Sequence, residues 1–480
     1  MANVPGDVFF QGISDLNARL VKREFSAQDL TRAFCDRLEE LGPRYNALAL
    51  SLRRDALRQA KDVDDELKRG RTRGLLQGIP YGAKDLLAVK DRPTTWGARP
   101  YAGQVFDYTA RVIEKLHKAG AILIGKLAMI ELAGGGGYGA ASASLTGPCL
   151  NPWDRSRWSG GSSSGSGAAT AAGLVTFALG SETSGSILTP SAYCGVTGFR
   201  PTYGLVSRVG AMALSWTLDK IGPICRSAED CALVLETIAG GDNEDPDSAG
   251  KSFYYAPKFW RKPADVVVGY APADVEEWAD ESARAALREA VGVVKSLGYQ
   301  MKEVEIPDFP YGALVSTIYN AEGASAFEEL IRSGRVNELA DQRQAAGFKA
   351  ALDIPAAEYL KAQRIRSDVQ KAFRTLFIDV DLLLAPSRLT PATRISDPVG
   401  GTPRPDRPQP KSRGLSGLIA AGNLAGLPAI SIPCGFAGQL PVGISFVARP
   451  FAENLILSAA QGYQSQTDWH RRHPQVVPSN

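Results

Sequence analysis

The sequence predicts an α/β protein in which a large mixed β-sheet is covered by helices on both faces. Short apolar runs alternate along the chain with amphipathic stretches of helical spacing, an order typical of a sheet packed between helices. The composition, with 44% hydrophobic and 22% charged residues, is ordinary for a globular chain. No apolar run approaches the roughly 20 residues needed to span a bilayer. A sizeable hydrophobic core is therefore expected.

The first predicted elements are amphipathic helices in a helical region over residues 12–70. Apolar side chains recur there at helical spacing, as in Leu30, Phe34 and Leu38. Ser26 is followed three positions later by Asp29, which predicts an N-cap. Later elements alternate in type. Helices are predicted over 110–119, 229–239 and 282–297, and strands over 121–125, 175–179 and 266–270. Further pairs of such elements are predicted at 373–384 and 429–433.

The chain is predicted to form a single domain over residues 1–480, with its main motifs in a core at 75–240. One stretch resembles a linker, the Pro-rich polar segment at 397–412. Because apolar segments lie on both sides of it, we interpret it as a surface loop. The amino terminus lacks the charged and apolar regions of a signal peptide, so a cytoplasmic protein without membrane contact is expected.

Charge and cysteine usage exclude several classes of function. Lys and Arg number 54 against 51 Asp and Glu, and a net charge of +3 indicates no nucleic-acid partner. Six cysteines without CxxC spacing and only three histidines form no metal-binding pattern. Neither a metal nor a cofactor is expected. The sequence does not determine the oligomeric state and leaves a homodimer open.

Two glycine–serine segments are the most informative feature, one at 160–167 and one at 182–186. Composition alone would favour a flexible linker for 134–167. However, Trp153 and Trp158 interrupt this stretch, and it continues into the small apolar segment 168–179, which predicts that it packs into the core. Closely packed Gly-rich backbone can direct N–H groups at an anion, so an oxyanion site is predicted.

A serine nucleophile needs a base, which is normally histidine. None of the three histidines is near either serine segment in sequence, and the candidate base is Lys84, inside the apolar run 75–89. Burial lowers a lysine pKa, and a fall from about 10.4 to about 7.4 would cost roughly 4 kcal/mol. An isolated lysine next to Asp85 would more simply be solvated.

These segments occur in the order and with the spacing of the amidase signature family, which the chain resembles over nearly its whole length. The matching segments are Gly78-Ile79-Pro80, Lys84-Asp85, Asn151-Pro152-Trp153, residues 160–167, Gly185-Ser186-Ile187 with Pro190, and residues 423–435 and 440–443. The resemblance implies that fold and a triad of Ser186 as nucleophile, Ser162 as bridging hydroxyl with a cis peptide bond, and Lys84 as base. The implied partners are a small-molecule amide and water.

Further site residues are predicted around the triad. Thr183, Ser184 and Gly185 would supply backbone N–H donors to the tetrahedral intermediate, just before a predicted helix at 187–194. Met129, Gly136 and Tyr138 are predicted to line the substrate pocket.

Departures from the family pattern bear on the substrate. Leu188 stands where many relatives have Arg, and residues 416–423 contain no acid where the glutamine-using relative has Asp. These differences predict neutral, fairly apolar amides such as aryl acylamides or related carbamates. An arginine from elsewhere, such as Arg332, Arg388 or Arg413, would change that prediction if it entered the pocket. Two alternatives remain: the glutaminase subunit of a tRNA-dependent amidotransferase, and a non-catalytic binding homologue.

Overall fold

The computed structural model describes residues 4–257, 260–399 and 411–476. The helices are α1 (Ile13–Val21), α2 (Ala27–Leu41), α3 (Arg53–Lys68), α4 (Arg111–Lys118), α5 (Ser164–Ala171), α6 (Leu188–Cys194), α7 (Ala228–Ile238), α8 (Glu281–Ser296), α9 (Tyr311–Ala326), α10 (Glu328–Arg332), α11 (Gln342–Ala351), α12 (Ala356–Asp379), α13 (Leu418–Ala425) and α14 (Glu453–Gln466). The strands are β1 (Leu48–Ser51), β2 (Pro80–Lys84), β3 (Ile122–Leu127), β4 (Leu150–Asn151), β5 (Asp154–Trp158), β6 (Phe177–Glu182), β7 (Thr197–Arg200), β8 (Lys220–Cys225), β9 (Val267–Tyr270), β10 (Gln300–Glu303), β11 (Leu382–Pro386), β12 (Ala429–Ala437) and β13 (Leu440–Ala448).

Eleven strands form one mixed sheet in the order β1-β3-β2-β6-β8-β7-β12-β13-β11-β9-β10, and β4 pairs with β5 separately. Strand β2 is parallel to β3 and β6, and β9 is parallel to β10 and β11. The other neighbours in the large sheet are antiparallel. Every residue of β3, β6 and β8 is buried, so both faces of the central sheet are covered. The predicted fold class is confirmed.

Most predicted elements agree with the structure within two residues. The predicted cap of α2 is present, since Ser26 Oγ accepts the N–H of Asp29 at 3.0 Å and Asp29 accepts the N–H of Ser26 in return. The purely helical interpretation of 12–70 is wrong in one place, because β1 lies within it. This strand has only four half-buried residues and owes its existence to antiparallel pairing with β3, a partner distant in sequence.

The main hydrophobic core draws on residues from Val8 to Tyr463. A second cluster groups α9, α12 and α13 around Leu188, at the start of α6. All six cysteines are buried and unpaired. No helix in the described ranges is long and apolar enough to cross a membrane. Residues 400–410 of the predicted surface loop lie outside the described residues, and the single-domain organisation stays a prediction.

Candidate active site

Lys84 is the last residue of β2, and its side chain is fully buried. Its Nζ lies 2.7 Å from Ser162 Oγ and 2.9 Å from Ser181 Oγ. Because β6 runs parallel to β2, with Ala83 opposite Leu179, the two strands end side by side and bring Lys84 and Ser181 together. Burial lowers the pKa of Lys84 to about 7, against smaller raising effects of Asp219 and Glu182. A neutral amine is therefore accessible near neutral pH.

Asp85 does not neutralise its neighbour in sequence. It forms a buried ion pair with Lys126 of β3, with Asp85 Oδ1 2.7 Å from Lys126 Nζ. Its other carboxylate oxygen accepts the N–H of Thr95 at 3.0 Å. The simpler interpretation of Lys84 as a solvated lysine is wrong, because Lys84 is buried and Asp85 is engaged elsewhere.

Ser162 lies where the two glycine–serine segments meet. The peptide bond between Gly161 and Ser162 is cis, as the family resemblance implied. The next residue, Ser163, donates its N–H to the carbonyl of Ser186 at 3.3 Å, which ties one segment to the other. Gly160 has a φ of +86°, and a Cβ on it would lie 2.8 Å from Pro190 Cα. Only glycine satisfies both that backbone conformation and that close approach.

Ser186 lies in the turn between β6 and α6, with 7% of its surface exposed. In the described part of the chain, no hydrogen bond joins its hydroxyl to Ser162 or Lys84, whereas the contact between Ser162 and Lys84 is formed. Hydrogen bonds between nucleophile and base are often long in unliganded enzymes and tighten when substrate binds. The structure therefore brings the three predicted residues to one locality with one of the two relay contacts in place.

The turn that carries Ser186 presents unused backbone donors. The N–H groups of Ser184, Gly185 and Ser186 have no acceptor among the described residues. Thr183 is held by its side chain, which donates to Asp219 at 2.5 Å. Buried amides without partners are rare in proteins, and a cluster of them is what a developing oxyanion requires. The roles of Thr183, Ser184 and Gly185 as an oxyanion hole remain a proposal.

The buried carboxylate of Glu182 fixes the shape of this turn. Its Oε2 accepts the N–H groups of Ile187 at 2.9 Å and Leu188 at 3.1 Å. Its Oε1 accepts from Arg200 Nη1 and from Asn423 Nδ2, each at 2.8 Å. Although burial alone would raise the pKa of Glu182, the charge of Arg200 and these hydrogen bonds lower it to about 2. The carboxylate stays ionised and links the turn to β7 and α13.

A cavity of 340 Å³ adjoins the turn, and Leu188, two residues after Ser186, lines it. Ile419 lines it as well, and a Cβ on Gly185 would lie 3.1 Å from Ile419 Cγ2. Most of its wall is apolar, but Arg200 and Arg388 also line it. The prediction of a neutral substrate rested on Leu188 and on the lack of an acid at 416–423. The absence of an arginine at position 188 does not make this cavity uncharged, because Arg200 and Arg388 line it.

A second cavity of 230 Å³ reaches the site from the side of Ser181 and Thr183. Its wall includes Asp219 and Lys220. Burial lowers the pKa of Lys220 well below its usual value and raises that of Asp219. A second buried lysine therefore lies beside Glu182, which it faces across the antiparallel pair β6–β8.

The predicted pocket residues lie on the segment after β3. Met129 is fully buried in the main core. Gly136 has a φ of +77°, and a Cβ on it would lie 2.5 Å from the carbonyl oxygen of Gln344. Tyr138 is half-buried, with its ring centroid 6.2 Å from that of Trp158. None of the three lines either cavity described above, and their contact with substrate stays a prediction.

Sequence reasoning missed Ser181 and Arg200, and it treated Glu182 and Asn423 only as parts of motifs. The sequence could have indicated Ser181, since this residue directly precedes the second serine segment. No sequence signal indicated Arg200, because its role depends on the pairing of β7 with β12 and on the approach of the segment that follows α13.

The chain resembles known proteins over its whole length. The amidase family model matches residues 29–457. A glutamyl-tRNA(Gln) amidotransferase subunit from Moorella thermoacetica is 36% identical over 496 residues, covering 98% of this chain and 99% of that relative. Among solved structures, the peptide amidase of Stenotrophomonas maltophilia has a TM-score of 0.82 at 28% identity, covering 97% and 98% of the two chains. A bacterial aryl acylamidase has a TM-score of 0.84 at 22% identity, covering 96% and 98%, a likeness of fold alone.

Proposed function

We propose that this chain, which belongs to the amidase signature family, hydrolyses small-molecule amides through an acyl-enzyme on Ser186. One observation carries the proposal: a buried lysine with a pKa of about 7 contacts Ser162 beside a turn in which the N–H groups of Ser184, Gly185 and Ser186 have no acceptor among the described residues. A neutral amine can accept a proton, and unpartnered amides can bind an oxyanion. The fold brings these two features to one locality.

In the proposed reaction, Ser186 Oγ attacks the amide carbonyl carbon. Its proton passes to Ser162, and the proton of Ser162 passes to Lys84. The N–H groups of the turn stabilise the oxyanion, and the C–N bond breaks as the leaving nitrogen takes a proton back along the same relay. Water then attacks the acyl ester, and release of the acid regenerates Ser186.

We further propose that the substrate has an apolar body. The cavity beside Leu188 has a mostly apolar wall, to which Leu415, Leu418 and Val447 contribute. Burying apolar surface there would contribute about 25 cal/mol for each Å² removed from water. Aryl acylamides and related carbamates meet this requirement.

Labelling with a serine-directed fluorophosphonate tests the nucleophile. Peptide mapping is expected to place the label on Ser186, and Ser186→Ala should abolish labelling, whereas the control Ser142→Ala, at an exposed serine, should label normally. In parallel, release of amine or ammonia is measured on a panel of amides with the purified chain alone. A label on another residue, or no label with no turnover, would contradict the proposal.

A second candidate is the glutaminase subunit of a tRNA-dependent amidotransferase. The observation in its favour is the 36% identity, over the whole chain, to an amidotransferase subunit of this kind. Against it, no acidic side chain lines the cavity beside Leu188 among the described residues, and the ammonium of free glutamine needs a counter-charge. Glutamine hydrolysis well above that of the aryl acylamides would favour this candidate. A chain that binds amides but turns over none would instead be a non-catalytic homologue.

A further inference from the structure

We infer that Arg388 binds a carboxylate group of the substrate, so that the enzyme selects amides that join an apolar body to a carboxylate but carry no ammonium group. The inference rests on the proposed function, because it names the substrate class of the same site. It makes Arg388 a specificity-determining residue, and it replaces the expectation of a neutral substrate.

The guanidinium of Arg388 is held in place without an acidic partner among the described residues. Arg388 follows β11 by two residues, and its Cζ lies 5.7 Å from the ring centroid of Tyr193. Its Nε is buried and has no hydrogen-bond acceptor. The titratable groups that act on it are the phenols of Tyr193 and Tyr138, and neither is a carboxylate. Arg388 also forms a side-chain hydrogen bond with Tyr193. An arginine that a tyrosine positions but that has no counter-charge among the described residues can receive an anion.

A second guanidinium faces the same space. Arg200 also lines the cavity, and it is fully buried. Glu182 and the carbonyl of Leu427 occupy its Nη1 and Nε, but its Nη2 has no partner. A buried donor without an acceptor is unfavourable, and more so when it belongs to a charged group. Thus two arginines with unpartnered N–H groups line the cavity. Among the described residues, only Arg200 has a counter-charge, the carboxylate of Glu182.

The residues of the cavity wall determine which chemical class of substrate fits the cavity. Among the described residues it contains no Asp or Glu, so nothing there would neutralise an ammonium group. Hydroxyl groups are present, as Ser387, Thr390, Ser416 and Ser445 all line the cavity. A carboxylate offers two oxygens to a planar guanidinium, which can bind both at once. An apolar body ending in a carboxylate therefore matches both the walls and the charge.

The cavity lies beside the proposed nucleophile. Leu188 in its wall begins the helix that follows Ser186, and Ile419 contacts the position of Gly185. A substrate with its amide at Ser186 can therefore extend one half into the cavity. The half of the substrate that enters the cavity, either the acyl half or the amine half, is the one that carries the carboxylate.

The test compares substrates matched in shape and different in charge. For the acyl half, the mono-4-nitroanilides of succinic, glutaric and adipic acids are each paired with an analogue in which an isopropyl group replaces the carboxylate. For the amine half, 4-acetamidobenzoate is paired with 4-isopropylacetanilide. The ratio of kcat/KM within each pair is measured for the wild type, Arg388→Met, Arg388→Lys and the control Arg394→Met. Arg394 is exposed and does not line the cavity.

We expect the wild type to prefer the carboxylate member of at least one pair. Arg388→Met should lose roughly 10- to 100-fold in kcat/KM on that member, the range for a hydrogen bond to a charged group, and change little on its isopropyl partner. Arg388→Lys, which keeps the charge without the planar fork, should be intermediate, and Arg394→Met should match the wild type.

Two outcomes would overturn the assignment: a wild type that prefers the isopropyl member of every pair, or an Arg388→Met variant that affects both members equally. If no compound is turned over, we measure how well each compound protects Ser186 from the fluorophosphonate. Equal protection by the two members of every pair, or no protection by any compound, overturns the assignment. Failure of fluorophosphonate labelling at Ser186 would instead overturn the proposed function, so the two failures can be told apart.

Discussion

The turn at 182–188 and the cavity wall at 385–390 and 415–419 differ in how the protein satisfies their polar groups. In the turn, the carboxylate of Glu182 accepts four hydrogen bonds from the protein itself. In the wall, Arg388 has no acidic partner in the part of the chain that the structure describes, and its buried Nε has no acceptor there. The turn is thus preorganised before substrate arrives, whereas the wall is completed by a ligand. Changes in the turn should therefore affect every substrate, and changes in the wall should affect only some.

The largest effect is expected for Ser186→Ala. Loss of the nucleophile should lower kcat by at least about 10⁴-fold, because the remaining backbone donors stabilise an oxyanion but form no covalent intermediate. Release of amine from the best substrate measures this, with Ser142→Ala as the matched control. A variant that keeps more than a few per cent of wild-type turnover would remove Ser186 from the mechanism.

Lys84→Met is expected to lower kcat/KM by about 10²- to 10⁴-fold, the range for loss of a general base. In the wild type, log kcat/KM should rise with pH up to about 7 and level off above it, because only the neutral amine accepts a proton. Rates from pH 5 to 9 measure this profile. A wild-type rate that does not change with pH in this range would contradict the assignment of Lys84 as base.

Stability measurements check that Lys84→Met is folded and test the pKa independently. The unfolded chain holds the lysine proton up to about 10.5, whereas the folded protein loses it near 7. Wild-type free energy of unfolding should therefore rise with pH between these values. Lys84→Met lacks this dependence, so its stability relative to the wild type should be highest below pH 7 and fall as pH approaches 10.5. If the stability of Lys84→Met relative to the wild type instead increased with pH, the pKa of Lys84 would not be lowered in the folded protein.

Glu182→Gln tests the preorganisation of the turn. It leaves Arg200 buried without a counter-charge, and breaking such a pair typically costs about 3–5 kcal/mol. Denaturant unfolding should show this loss at pH 7. The contribution of the carboxylate is present above its unfolded pKa of 4.5 and lost as pH falls toward 2, so the difference from the wild type should shrink in acid. Equal stability of the two proteins at pH 7 would mean that Arg200 finds another partner.

The smallest effect is expected for Ser26→Ala, at a residue whose side chain hydrogen-bonds to Asp29 at the start of α2. Loss of the capping box of α2 should lower the free energy of unfolding by about 1 kcal/mol. Because this change touches neither the turn nor the cavity wall, kcat/KM and the preference between paired substrates should stay at wild-type values. A changed preference would show that stability alone alters selectivity, which would weaken the comparison between the two regions.

Much of the fold could be predicted from the sequence because it depends on local signals, and the proposed triad rests on short motifs that resemble those of the family. Alternating apolar patterns predicted the sheet and most helices, and short motifs predicted Lys84, Ser162 and Ser186. Strand β1 was missed, because four half-buried residues become a strand only through pairing with β3. The composition of the turn predicted an oxyanion site, which stays a proposal, but it did not predict the hydrogen bonds that Glu182 accepts there.

The sequence alone indicates which side chains are candidates for the reaction, since the proposed nucleophile, bridging hydroxyl and base lie in short segments whose residue types and order are readable. The state and surroundings of those groups depend on the tertiary structure. Burial sets the pKa of Lys84, and Asp85 pairs with Lys126 instead of Lys84. The fold also sets what lies beside Leu188, because Arg200 at the end of β7 and Arg388 just after β11 are distant in sequence and meet there only through the sheet. The charge of a cavity depends on residues from several segments that the fold brings together, so it cannot be predicted from any one segment.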